Sequence, residues 1–157
     1  MVVKPIPTQT PQLIVHSASG LHITPQGRAD QDLEVRLWRS GWTSAGDRTR
    51  QWIFLPVSGQ EHTYRIKNAQ FERYLTLEKP SPSTPVVSLT SNSTDQSLWK
   101  LIFPDSAQAD FVIASFLDTD LVISPKEGAH DPEATLEVEE LGPYTDQFWR
   151  TREPRSS

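Results

Sequence analysis

Phe111-Val112-Ile113-Ala114-Ser115 is followed by Leu121-Val122-Ile123 and then Leu136-Glu137-Val138, and the run closes on Gln147-Phe148-Trp149. Within each apolar run the bulky residues stand two apart, which is the period of a half-buried strand. The same succession occurs twice earlier in the chain. Leu13-Ile14-Val15-His16-Ser17, Leu21-His22-Ile23 and Val35-Arg36-Leu37 lead to Trp52. Tyr64-Arg65-Ile66-Lys67-Asn68, Leu75-Thr76-Leu77 and Val87-Ser88-Leu89 lead to Trp99. The tryptophans recur about every 50 residues, and a repeat of that length marks a unit that cannot bury its apolar face alone. Three copies, each closed by a tryptophan, suit a ring closed on itself better than an open array.

The rest of the sequence agrees with an all-β chain. Apolar residues rarely recur at helical spacing, and 13 prolines interrupt most windows long enough for a helix. Ser, Pro, Asp and Gly gather between the apolar runs, as turns require. The 157 residues fit one domain, expected over 13–152 with repeats at about 13–55, 64–103 and 111–152. Residues 1–12 and 153–157 are expected to be tails. With no cysteine there is no disulfide scaffold, thiol nucleophile or cysteine-ligated metal. Twenty acidic against 15 basic residues, a net charge of −5, disfavour nucleic acid as a partner. No run of the chain is apolar enough for a signal peptide or a membrane helix, so a leaderless or cytoplasmic protein without membrane insertion is expected.

The pattern resembles the ricin-B-type β-trefoil, in which each third ends in a Gln-x-Trp motif. The third unit carries it intact as Gln147-Phe148-Trp149, preceded by Asp146. In the first unit, Arg50-Gln51-Trp52 has arginine at the glutamine position. The second, Gln96-Ser97-Leu98-Trp99, reads as having an extra residue. The resemblance spans nearly the whole chain. It implies a β-trefoil of three four-stranded repeats and an R-type lectin, although fold alone does not give function.

The family's sugar site needs an aspartate on the second strand, an aromatic ring ending the third strand, and polar side chains near the Gln-x-Trp. In the first unit these places fall on Thr24, on Trp38, and on Asp47, Arg50 and Gln51. In the second, Glu78 takes the carboxylate place and Thr90 the aromatic one. In the third, Ser124 and Glu139 stand there, with Asp146 and Gln147 following. No unit has the whole set, which puts ordinary galactose-type recognition in doubt.

The first unit is the best candidate. Leu37 and Trp38 are adjacent on a strand and face opposite ways, so a buried Leu37 leaves Trp38 exposed. Trp42, Arg36, Arg39, Arg48 and Arg50 lie nearby in sequence, and arginines pair bidentately with carboxylate or sulfate groups. That combination suits an acidic glycan. The competing arrangement has Trp38 and Trp42 packed on each other beneath the loop from Ser40 to Thr49. Trp52, Trp99 and Trp149 are expected in the core.

The acidic run of the third unit, from Asp118 to Glu140, reads as a solvated face. A cation site, or docking on the first unit of a second copy to give a homodimer, are its other readings. No cofactor or metal is expected: His16, His22, His62 and His130 lack metal-type spacing, and His22 is expected to face solvent. Nothing sets a nucleophile, base and orienting group together, so no enzyme activity is expected. The alternative function is protease inhibition through an exposed loop, with Arg28 or Lys79 entering the protease cleft. A proline-stiffened loop such as Glu78–Pro85 lowers the ordering cost of that binding.

Overall fold

The computed structural model describes residues 8–26, 33–38, 48–77, 79–89, 95–103, 110–126, 134–142 and 147–153. Twelve antiparallel strands follow the threefold repeat. The first unit supplies β1 (Leu13–His16), β2 (His22–Gln26), β3 (Leu33–Trp38) and β4 (Trp52–Pro56). The second supplies β5 (Thr63–Asn68), β6 (Tyr74–Leu77), β7 (Val86–Leu89) and β8 (Leu98–Ile102). The third supplies β9 (Val112–Ser115), β10 (Leu121–Pro125), β11 (Leu136–Glu140) and β12 (Trp149–Arg152).

The first and fourth strands of each unit form a closed barrel. β1 pairs with β12, β8 with β9, β5 with β8, and β4 with β5. Two single bridges complete the ring, Gln12↔Trp52 from the residue before β1 to β4 and Phe111↔Trp149 from the residue before β9 to β12. The amide of Gln9 also donates to Phe54 O at 3.0 Å. The segment expected as an N-terminal tail therefore gives its last residues to barrel closure.

The second and third strands form three hairpins that meet in a triangle. β3 pairs with β7 at Leu33↔Ser88, β3 touches the β11 side at Arg36↔Thr135, and β7 touches β11 at Pro85↔Glu137. A six-stranded barrel capped by three hairpins is a β-trefoil, and the chain has that fold.

The three closing tryptophans hold it together in the same way. Trp52, Trp99 and Trp149 are wholly buried. Their indole N–H groups donate to Ile23 O at 3.0 Å, Leu75 O at 2.9 Å and Ile123 O at 3.0 Å. Each ring thus fills the core with apolar surface and ties its barrel strand to its own hairpin, leaving no polar atom orphaned. Around them pack Ile14, Ile23, Val35, Leu37, Phe54, Ile66, Leu75, Leu77, Val86, Leu101, Phe111, Ile113, Ile123 and Val138.

Burial in β1 differs from simple alternation. Ile14 points into the core, yet Leu13, Val15 and His16 are buried as well. Across the sheet Leu13 faces Arg152 and Val15 faces Arg150, so the aliphatic stems of two arginines lie alongside the outer side of β1.

Candidate functional site

The indole–carbonyl bonds fix which positions correspond among the units: Ile23, Leu75 and Ile123 are equivalent. One residue further on stand Thr24, Thr76 and Ser124, all buried. The carboxylate place in the second unit is therefore Thr76, not Glu78, which lies outside the described residues. One residue earlier stand His22, Tyr74 and Val122, and their cross-strand partners are Trp38, Leu89 and Glu139. The aromatic place in the second unit is thus Leu89 rather than Thr90. All three units carry a hydroxyl where the family recipe calls for an aspartate. Thr24 Oγ1 donates to His22 O at 3.4 Å and Thr76 Oγ1 to Tyr74 O at 2.9 Å.

The second closing motif is also in register with the first. Short 3₁₀ turns at Arg48–Arg50 and Asp95–Ser97 both end two residues before the tryptophan. Ser97 substitutes for the glutamine, and no extra residue is present.

On the first hairpin the outer face holds a distinct set of side chains. One lateral row crosses four strands, Arg150 on β12, Val15 on β1, His22 on β2 and Trp38 on β3. The adjoining row pairs Thr24 with Arg36. Leu37 is buried and Trp38 partly exposed, as the alternation requires.

His22 does not face solvent: it is wholly buried. The outward side of β2 is not bare, because Arg152 reaches across from the barrel and its Nη2 lies 3.2 Å from His22 Nε2. An arginine nitrogen can only donate, so Nε2 accepts and the imidazole proton resides on Nδ1. That Nδ1 is buried and has no hydrogen-bond partner among the described residues. Burial, then the charges of Arg152 and Arg50, lower the His22 pKa from 6.5 to about 4, so the ring is neutral at pH 7. His22 and Arg152 were absent from the set expected from sequence. Parity puts His22 on the same side as Thr24, whereas only barrel closure brings Arg152 to it.

The other expected residues have varied placements. Gln147 is buried, its Oε1 accepting from Gly142 N at 3.0 Å and its Nε2 donating to Glu140 O at 2.9 Å, so its amide ties the approach to β12 to the end of β11. Gln51 is buried and Arg50 partly exposed. Asp47 and Asp146 lie outside the described residues, as do Trp42, Arg39, Arg28 and His130. Lys79 is exposed, and the turn after it is tied to β11 by Ser83 N donating to Val138 O at 2.8 Å. In the acidic third unit Asp118, Asp120 and Glu140 are exposed, but Glu137 is buried and Glu139 accepts from Ser83 Oγ at 3.0 Å. That face is therefore not uniformly solvated.

A cavity of about 200 Å³ is lined by His62, Lys100, Leu101, Ile102 and Phe103. Among the described residues no group of three or more His, Asp or Glu side chains could hold a metal ion, and no helix is long and apolar enough to cross a membrane.

Solved structures are similar to this one over most of this chain's length. The designed threefold-symmetric protein ThreeFoil matches with a TM-score of 0.78 at 14% identity, over 90% of this chain and 96% of that one. The ricin B-like lectin of Macrolepiota procera, solved in complex with lactose, matches at 0.73 and 18%, over 96% of this chain and 100% of the lectin. The Polyporus squamosus lectin, solved with Neu5Acα2-6Galβ1-4GlcNAc, matches at 0.76 and 16%. That match covers 95% of this chain and 50% of the lectin chain. The shared property is the β-trefoil. No family model matches the chain, and no curated protein matches it in sequence.

Proposed function

We propose that this β-trefoil binds carbohydrate, and that the glycan sits on the outer face of the first hairpin with its apolar ring face against Trp38. The observation that carries the reading is the placement of Trp38: a partly exposed indole at the end of β3, held opposite His22 and flanked by Arg36. An aromatic ring fixed on a rigid strand offers large apolar contact at little ordering cost, and its neighbours supply hydrogen-bond donors to sugar oxygens. The equivalent places in the other units, Leu89 and Glu139, offer no ring. Two proteins of the same fold were solved with lactose and with a sialylated glycan, which supports sugar as the ligand class.

The hydroxyls at Thr24, Thr76 and Ser124 remove the carboxylate that would accept from paired sugar hydroxyls. Recognition here rests instead on stacking and on cationic donors, and it suits glycans bearing acceptor-rich or acidic groups. A glycan array read with wild type and Trp38→Ala in parallel tests this. Binding by the wild type that is lost in the variant supports the reading. Binding that survives the substitution moves the site elsewhere, and a blank array for the wild type overturns it.

A further inference from the structure

Arg152 is the least expected member of the first-unit face. It comes from the last strand, 130 residues away in sequence from the histidine it touches. A carboxylate beside an arginine offsets its charge for any other anion. Among the described residues no carboxylate is within ion-pair distance of Arg152 or Arg150. The partner of Arg152 is instead a neutral imidazole nitrogen, which fixes the guanidinium without cancelling its charge. Arg50 also bears on the same imidazole. His22 Nδ1–H is itself buried, with no acceptor among the described residues. Such an arrangement fits an oxyanion.

We propose that Arg152, held by His22, the cross-strand partner of Trp38, forms a subsite for a carboxylate or sulfate substituent of the bound glycan. The inference rests on the reading that the glycan stacks on Trp38, and it adds the residue that selects for charge. Arg152 touches the ligand; His22 is a positioning residue that acts through it.

The test uses lactose, O-sulfated lactose and sialyllactose as probes, each titrated into the full chain at low and moderate salt. Charge-assisted hydrogen bonds are about twice as strong as neutral ones, so the wild type should favour an anionic probe over lactose about tenfold. Raising the salt should shrink that preference. Sulfated lactose and sialyllactose distinguish a tetrahedral from a planar anion. Arg152→Gln should bring the ratio of anionic to neutral affinity close to one, and Arg152→Lys should retain part of it. His22→Leu, which removes the acceptor, should also lower the ratio, whereas His22→Gln, whose side-chain oxygen can accept from Arg152, should restore it. Thermal melts confirm that each variant is folded.

A wild type that binds lactose with no preference for charge overturns the subsite while leaving the Trp38 site standing. A preference that persists in Arg152→Gln does the same. If no probe binds, or if Trp38→Ala binds all three as wild type does, the stacking reading fails and the subsite with it.

Discussion

His22 and Trp38 stand directly opposite each other across the β2–β3 hairpin, one wholly buried and the other partly exposed. The pair joins the barrel to the surface. His22 receives Arg152 from β12, and Trp38 presents its ring at the end of β3. The ring position thus depends on packing that reaches from the last strand of the chain to the second.

The first prediction concerns pH. The folded-state pKa of His22, about 4, lies below its ordinary value of 6.5. Between those values the unfolded chain takes up a proton that the folded chain refuses, so stability is full above about pH 6.5 and declines as pH falls towards 4. The loss should be about 2–3 kcal/mol by pH 4, allowing for solvent screening of the ring. Melting temperatures of wild type and His22→Gln should diverge between neutral pH and pH 4.5, with the variant losing less. Parallel profiles would show that His22 is not the group responsible.

The second concerns the closing tryptophans. Trp149→Phe keeps a ring in the core but removes the donor to Ile123 O, leaving a buried carbonyl unpaired. The cost should be about 1–3 kcal/mol, or a fall in Tm of about 3–10 °C. Trp99→Phe should behave alike through Leu75 O. Calorimetric melts check both, and an unchanged Tm in either would contradict the structural role of these bonds.

A third separates bracing from binding at the intact Gln-x-Trp. Gln147→Ala removes both hydrogen bonds that tie Gln147 to Glu140 and Gly142 and should cost about 1–2 kcal/mol. Glycan affinity of the folded variant, measured by calorimetric titration, should move less than threefold. A large loss of affinity with little change in Tm would return Gln147 to the ligand site.

Much of the architecture could be read from local pattern. Alternating runs, turn residues and tryptophans at regular intervals are short-range signals, and they gave three four-stranded units. The parity of Leu37 and Trp38 gave the exposed ring. The second unit is less legible, because the glutamine before Trp99 is replaced by Ser97 with Gln96 beside it, and sequence spacing alone reads as an insertion. The Trp99–Leu75 bond supplies the true register and moves the equivalent places to Thr76 and Leu89.

The burial of His22 escapes local pattern for a different reason. Its neighbours Leu21 and Ile23 indicate which way it points, but not that Arg152 covers that side. Closure of a barrel by β1 and β12 is a long-range event with no local signature, so the cationic half of the site could not be read from the first unit by itself. Val15, Leu13 and their arginine neighbours make the same point, since an outward position is exposed only when nothing crosses over it.

The most direct measurement is an NMR titration that follows the indole N–H resonances as glycan is added, with Trp38 assigned from its absence in Trp38→Phe. Binding at the first hairpin predicts that the Trp38 signal shifts while those of Trp52, Trp99 and Trp149, buried and bonded to backbone carbonyls, stay nearly in place. A saturating glycan that leaves the Trp38 signal unmoved would contradict the account.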